Sequence, residues 1–391
     1  MTIILTGGGS GGHITPILAV AEEIKRREPA SNIVYIGQTG DGLGDIPSKH
    51  PAIDKVYTIR AGKLRRYHGE GLKQVLDLPT TFKNIRDIFY VLIGIWQSHR
   101  LLRRIKPSII FIKGGFVGVP VGLAAAQLHI PYITHDSDAL PGLANRIISR
   151  WAIWHAVALP TEVYNYPASK TITTGIPLQA NFVPVTTDLK RDYRQKLGLP
   201  LDSKVLFVIG GGLGSQGVNN AVAETVPHLL AEFKNLRVIQ VAGRNNREDL
   251  LQTYKAKLSD AEMERLNVLG FIDDVYLYSG AADLIITRAG ATNLAEFSLQ
   301  GKACIVVPSS FLAGGHQLKN ADYLAEQGAA VVLQEKQLFD DPNRLAQQAS
   351  ELLGNQAKLD DLAKKLALFA KPNSTTSLCN LILEQAKPDE A

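Results

Sequence analysis

Two cysteines, two methionines and three tryptophans are few for 391 residues. Cys304 and Cys379 stand far apart and form no C-x-x-C pair, which argues against a disulfide framework and against a zinc site. Long apolar runs are missing too: the longest, Ile88–Trp96, is about half of what a membrane-spanning helix needs. The apolar opening is too short for a signal peptide, so a cytosolic protein is expected. Neither sign of charge dominates. Lys+Arg of 42 against Asp+Glu of 37 leaves +5, with no long basic run. That excess suits anionic ligands or an anionic membrane surface and gives no sign of a nucleic-acid partner. No G-x-x-x-x-G-K-[ST] occurs, which excludes a P-loop ATPase. No metal site and no tightly bound cofactor are expected.

What is present is alternation. Apolar, β-branched runs at 3–5, 32–37, 108–112, 131–135 and 156–160 are separated by helical patterns, and the same rhythm resumes after residue 203 with VLFVIGGG, LRVIQVAG, LNVLGF, ADLIITRAG and KACIVVP. Alternation of this kind indicates parallel βαβ units. TIILTGGGSGG and KVLFVIGGGLGSQG are each a buried strand, a glycine loop and a helix start, a weak internal repeat. The expected architecture is α/β: a domain over 1–175, a Pro-bearing linker over 176–202, a second domain over 203–365, and a helical segment over 366–391 returning to the first. Two doubly wound domains would face a central cleft and bind ligand at the carboxyl ends of their strands.

Both glycine loops satisfy G-x-G-x-x-G, through Gly7, Gly9 and Gly12 and through Gly212, Gly214 and Gly217. The dinucleotide fingerprint also needs an acid closing the next strand, and here those strands end in Gly37-Gln38 and Ala242-Gly243. Nicotinamide and flavin readings are therefore disfavoured. The loops can still admit phosphate to backbone N–H groups at a helix N-terminus, or simply turn the chain. His13 follows the first loop. With Thr15 as cap and Pro16 in the first turn, it would stand at the positive end of a helix, which favours the neutral imidazole of a general base.

The richest segment is NVLGFIDD through KACIVVP. A helix starting at Gly290-Ala291-Thr292 could offer N–H groups to a diphosphate. Glu296, one turn on, could accept two hydrogen bonds from a ribose diol. Phe271 and Ile272 could flank a base, and Gln317 and Asn320 could bind a sugar or cap a helix. The alternatives are an exposed Glu296 and a core Phe271.

The ordered set GGGSGGH, KGGFVGVP, HDSDALPGLANR, GSQG, FIDD…ADLIITRAGATNLAE and HQLKNA resembles the MurG family over nearly the whole chain. The resemblance implies a GT-B fold, UDP-N-acetylglucosamine as donor substrate, and transfer with inversion to the 4-hydroxyl of undecaprenyl-pyrophosphoryl-muramoyl-pentapeptide, turning lipid I into lipid II. It implies His13 as catalytic base. Donor contacts would come from Ser10, Gly11, Gly12, Asp138, Ser215, Gln216, Phe271, Ile272, Arg288, Ala291, Thr292, Asn293, Leu294, Ala295, Glu296 and Gln317. The acceptor side would be formed by Gly9, Gly114, Gly115, His135 and Asn145. Helix N-termini and Arg288 would meet the charge that develops on UDP. The chain departs from the family where His135-Asp136-Ser137-Asp138 replaces His-Glu-x-Asn and where Ile176-Pro177-Leu178-Gln179 replaces Asn-Pro-x-Arg. These changes leave open a UDP-sugar transferase for another lipid, or a weakly catalytic UDP-sugar-binding protein.

Phe89, Leu92, Ile93 and Trp96 recur at helical spacing, with Lys63, Arg65, Arg66, Arg100, Arg103, Arg104 and Lys106 nearby. The stripe reads equally as a core helix or as a peripheral surface for an anionic bilayer. A polyprenyl-linked acceptor favours the second, at the cytoplasmic face of the membrane.

Overall fold

The computed structural model describes residues 1–8, 11–41, 45–63, 78–211, 214–309, 315–341 and 343–387. Gly9, Ser10, Arg65, Arg66 and Gly212 lie outside them. The chain forms two compact units, one built mainly from Met1–Ala180 and Lys371–Ala391, the other from Asn181–Ser310 and Gln317–Ala370. Residues 181–202, read from the sequence as linker, belong to the second unit and carry the helix Thr187–Lys196.

The first unit holds strands β1 Thr2–Thr6, β2 Asn32–Gln38, β3 Lys55–Ile59, β4 Ile109–Ile112, β5 Tyr132–Asp136, β6 Trp154–Val157 and β7 Thr171–Thr173. They form one parallel sheet in the order β3-β2-β1-β4-β5-β6-β7. The second unit holds β8 Lys204–Ile209, β9 Leu236–Val241, β10 Leu266–Leu269, β11 Leu284–Thr287, β12 Ala303–Val306 and β13 Val331–Val332, parallel in the order β10-β9-β8-β11-β12-β13. In both sheets the order reverses beside the first strand of the unit, between β1 and β4 and between β8 and β11. The loops leaving those strands are where a doubly wound sheet receives its ligand.

The central strands are buried on both faces, so they read as continuous apolar runs, as in IIFI of β4 and VLFVI of β8. On one face of the first sheet, helix α1 (Gly11–Arg27) shares a core with Ile3, Leu5, Ile109 and Phe111. Leu378, Cys379 and Ile382, from the C-terminal helix Ser374–Ala386, complete that core. On the other face, Leu102 of α2 (Leu78–Ile105) and Val121, Ala124 and Ala125 of α3 (Gly118–Gln127) cover Ile4, Ile110 and Ile112.

Helix α2 is not a core helix. It lies hard against the segment after β3: a Cβ on Gly94 would stand 2.0 Å from the Arg60 carbonyl oxygen, and one on Gly62 1.9 Å from that of Asp87. Gln97 Oε1 accepts the Arg60 N–H at 2.8 Å. That seating turns the opposite side of the helix outward. Phe82, Phe89, Leu92 and Trp96 are 78%, 61%, 58% and 63% exposed, and Ile85 and Ile88 about half. Among the described residues, no helix is long and apolar enough to cross a membrane.

Gly94→Ala should force α2 off its seat. Overpacking of this kind costs about 1–3 kcal/mol, to be read as a lower urea midpoint for the full chain.

Candidate active site

In the first unit, β1 delivers Gly7 and Gly8 to the carboxyl edge of the sheet. Helix α1 begins at Gly11, four residues before the expected cap, so Thr15 and Pro16 lie inside it and His13 is its third residue. The β4 exit meets this loop at contact distance. Gly114 and Gly115 have φ of +107° and +79°, and a Cβ on Gly115 would sit 2.4 Å from the Gly8 carbonyl oxygen. Only glycine tolerates both demands. A Cβ on Gly114 would stand 3.6 Å from His13 Cε1 and 3.5 Å from Asn145 Nδ2, so three segments converge on the imidazole.

His13 is half-buried as a residue, but its Nδ1 is closed off from solvent and has no hydrogen-bond partner. Its proton affinity falls to about 3, first through burial and then through the charge of Lys113. The cause therefore differs from the helix dipole assumed in the sequence reading, and the imidazole is neutral throughout the physiological range.

Lys113 closes β4 and is 1% exposed. Its Nζ donates to Ser137 Oγ at 2.5 Å. Burial lowers it to about 8, partly offset by Asp138 and Asp136. Asp136-Ser137-Asp138 is an Asp-x-Asp pair that the sequence reading overlooked. Asp136 accepts the Gly142 N–H at 3.0 Å and the Tyr166 hydroxyl at 2.8 Å, and its burial raises its pKa. His135 is fully buried, its Nε2 lies 2.8 Å from the Gly175 carbonyl oxygen, and burial holds it well below the ordinary histidine range. Asn145 donates to the His135 carbonyl at 2.9 Å, leaving a buried Oδ1 without a partner. His135 is thus a buried post beneath these loops, whereas Gly114 borders both His13 and Asn145, and Gly115 packs on Gly8.

In the second unit, β8 leads to Gly211 and Gly214, both with positive φ, and a Cβ on Gly214 would meet the Ala242 carbonyl oxygen at 2.1 Å. Ser215 then caps the helix Gln216–Glu232, accepting the Val218 N–H at 3.4 Å, while Gln216 points to solvent. The helix Ala291–Gln300 leaves β11 through Gly290 with no side-chain cap and no acid in its first turn, so its N-terminal dipole is unneutralised by its own residues. Ala291, Asn293 and Ala295 are half-buried, and Thr292 and Leu294 are buried.

Glu296 is 8% exposed, and no described residue is hydrogen-bonded to or ion-paired with its carboxyl. Burial alone raises it to about 8. Phe271 and Ile272 follow β10; Ile272 packs partly on the core, and the Phe271 ring lies under the guanidinium of Arg244 at 4.3 Å. Sequence reasoning missed Arg244, because a single arginine after Ala242-Gly243 carries no motif.

Three expectations change. The Arg288 guanidinium does not face open space: its Nε donates to Ser215 Oγ at 2.8 Å, Nη1 to the Val307 carbonyl at 3.1 Å, and Nη2 to Glu335. Its charge is already answered by that carboxylate, so it braces the Ser215 loop instead of waiting for a leaving group. Gln317 Oε1 accepts the Ser309 N–H at 2.9 Å, and Asn320 Nδ2 donates to the Ala289 carbonyl at 3.1 Å. These amides hold the loops after β12 and β11.

Two Rossmann-like units with such half-sites at their switch points are the construction of a GT-B glycosyltransferase. Residues 3–154 match the glycosyltransferase family 28 N-terminal domain and residues 205–377 the family 28 C-terminal domain. The UDP-N-acetylglucosamine–N-acetylmuramyl-(pentapeptide) pyrophosphoryl-undecaprenol N-acetylglucosamine transferase of Natranaerobius thermophilus is 31% identical over 384 residues, covering 98% of this chain and 99% of its own. The transferase of the same name from Desulforudis audaxviator is 34% identical, covering 94% and 99%. The crystal structure of Acinetobacter baumannii MurG superposes with a TM-score of 0.71 at 26% identity, covering 98% and 99%. A UDP-GlcNAc 2-epimerase from Neisseria meningitidis, at 14% identity and TM-score 0.65, covering 98% and 100%, shares the fold alone. The chain belongs to the MurG family.

The Glu296 carboxyl supplies a stability test. An unfolded glutamate ionises near 4.5 and this one near 8. Between those values the folded chain holds a proton that the unfolded chain has lost, so this group's contribution falls as pH rises from about 4.5 to 8 and stays lost above. Glu296→Gln has no such proton. The unfolding free energy of the wild type relative to this variant should drop across that window in paired denaturation curves.

Proposed function

We propose that this protein transfers N-acetylglucosamine from UDP-GlcNAc to the 4-hydroxyl of undecaprenyl-pyrophosphoryl-muramoyl-pentapeptide, with inversion at the anomeric carbon. The reading is carried by similarity along 98% of the chain to transferases named for that reaction. The half-sites support it. In the first unit, His13 is a neutral imidazole. It accepts the acceptor hydroxyl proton as that oxygen attacks the anomeric carbon and the bond to the UDP phosphate oxygen breaks. At rest it is a weak base, first because burial disfavours the imidazolium and then because Lys113 opposes its protonation. A pyrophosphate-bearing acceptor brings compensating negative charge, so basicity rises when substrate arrives.

In the second unit, the N-termini of Gln216–Glu232 and Ala291–Gln300 offer N–H groups to the donor diphosphate. Ile272 and Phe271 take the uracil, and the Glu296 carboxylate accepts both ribose hydroxyls. Asp138, Gly11, Gly12 and Ser10 are assigned to the donor sugar by family likeness alone. The exposed α2 stripe, with Arg100, Arg103, Arg104 and Lys106 exposed at the end of that helix or just past it, is the peripheral membrane surface that a lipid-linked acceptor requires. Retention of His13 and Glu296 speaks against a mere UDP-sugar-binding protein.

Transfer of labelled N-acetylglucosamine to lipid I, and not to glycerolipids, is the decisive assay; labelling of another lipid alone would replace the acceptor assignment. His13→Ala should lower kcat by roughly 10²–10⁴-fold with UDP affinity unchanged. Because the ribose hydroxyls donate, UDP binding needs the ionised Glu296 and releases its proton. UDP affinity should therefore rise by up to about tenfold per pH unit towards pH 8 and level off above, and Glu296→Gln should flatten that slope in calorimetric titrations. Phe89→Glu combined with Trp96→Glu should abolish sedimentation with anionic vesicles while leaving UDP binding intact.

A further inference from the structure

The Arg288 guanidinium is the hub of a buried network in the second unit whose carboxylate, Glu335, neither motif nor family likeness assigns. Arg288 and Glu335 are 8% and 7% exposed and paired. Arg288 reaches β12 through the Val307 carbonyl and the helix cap through Ser215 Oγ. Glu335 enters from about fifty residues further along, as the first residue of the short helix Glu335–Asp340, itself fixed by a reciprocal cap between Gln334 and Gln337. Its path crosses the first turn of the helix Gln216–Glu232. A Cβ on Gly217 would stand 2.6 Å from Glu335 Oε1 and 3.4 Å from Arg288 Nη2. A cavity of about 320 Å³ lined by Gln216, Gly217, Asn246 and Glu335 opens beside the pair.

We propose that Glu335 is a positioning residue of the donor site: it orients Arg288 against Ser215 and thereby sets the N-terminus of Gln216–Glu232, and Gly217 is glycine so that this carboxylate can pass. The inference rests on the assignment of that helix end to the UDP diphosphate. Glu335 touches no substrate and acts through Arg288. A guanidinium with three fixed partners has one orientation; without its carboxylate it is a buried, uncompensated charge that must move, and Ser215 moves with it. A cap displaced by a fraction of an ångström misdirects the N–H groups that meet the diphosphate. Binding of the donor should suffer, and handling of the acceptor should not.

Glu335→Gln keeps the volume and removes the charge. Gly217→Ala is favourable for a helix, and its methyl meets only the tip of a flexible side chain, so it displaces the carboxylate without threatening the fold. In the full-length protein Gly217→Ala should melt within a few degrees of wild type, and Glu335→Gln, which leaves a buried charge unpaired, should melt lower but still in one cooperative transition. Both should bind UDP at least fivefold more weakly by calorimetry. The KM for UDP-GlcNAc should rise by at least that factor and kcat/KM for the donor should fall with it, with the acceptor KM within twofold. Arg288→Met should do likewise, and Arg288→Met combined with Glu335→Gln should be no worse than Arg288→Met alone. Folded Glu335→Gln and Gly217→Ala proteins that bind UDP within twofold of wild type would overturn the positioning role and leave the donor site standing. A wild type that binds no UDP would overturn the donor assignment, and this role with it.

Discussion

Backbone packed on backbone at the carboxyl edge of each sheet is the constraint on which both half-sites depend. Gly115 lies on the Gly8 carbonyl in one unit and Gly214 on the Ala242 carbonyl in the other, each at a separation no Cβ could share. Such contacts bring the exits of adjacent strands close enough for side chains from several loops to converge. His13 meets Gly114 and Asn145 because the first loop can collapse onto the second. Ser215 meets Arg288 because the β8 loop folds back over the β9 exit. The glycines therefore do more than admit a ligand; they assemble the group of residues that would receive it.

Two of the cations near these loops are already answered by polar or acidic side chains, while Arg244 lies over the Phe271 ring. Lys113 is bonded to Ser137 and faces Asp136 and Asp138. Arg288 is neutralised by Glu335. Beside them stand uncharged groups instead: N–H groups at helix ends, a neutral imidazole and a carboxyl that burial keeps protonated. Because burial shifts both His13 and Glu296 towards their neutral forms, an added charge nearby would change the protonation of either.

Much of this was legible in the residues. The long apolar runs located β1, β2, β4, β5 and all but the last strand of the second sheet, since strands buried on both faces leave no polar alternation to mislead. Three of the four edge strands escaped. KVYTI of β3 is half-exposed and polar, β7 is three residues long and β13 two, and none carries an apolar run. His13 and Glu296 were visible because each follows a glycine turn at a fixed step into a helix. The start of α1 was misplaced because Thr15-Pro16 mimics a cap, while the helix already begins at Gly11. The loop-holding bonds of Arg288, Gln317 and Asn320 were not legible for a related reason. A polar side chain at a strand exit serves loop structure or ligand equally well in sequence, and only its partners distinguish the two. Glu335 carried no signal at all, its importance arising from a crossing that the chain makes late.

The C-terminal helix Ser374–Ala386 gives the fold a temporal order. Leu378, Cys379 and Ile382 belong to the same buried cluster as Ile3 and Leu5, at the opposite end of the chain. On a ribosome, strands β1 to β7 emerge while the wall that closes one side of their core is still roughly 200 residues from synthesis, a delay on the order of 10–40 s at ordinary elongation rates. During that interval the second unit can complete itself, because its residues form an unbroken span apart from a few that belong to the first. The first unit, which carries the apolar helix stripe, is thus the last to close. Its nascent form presents an open core together with that stripe, a combined apolar surface for chaperones to hold.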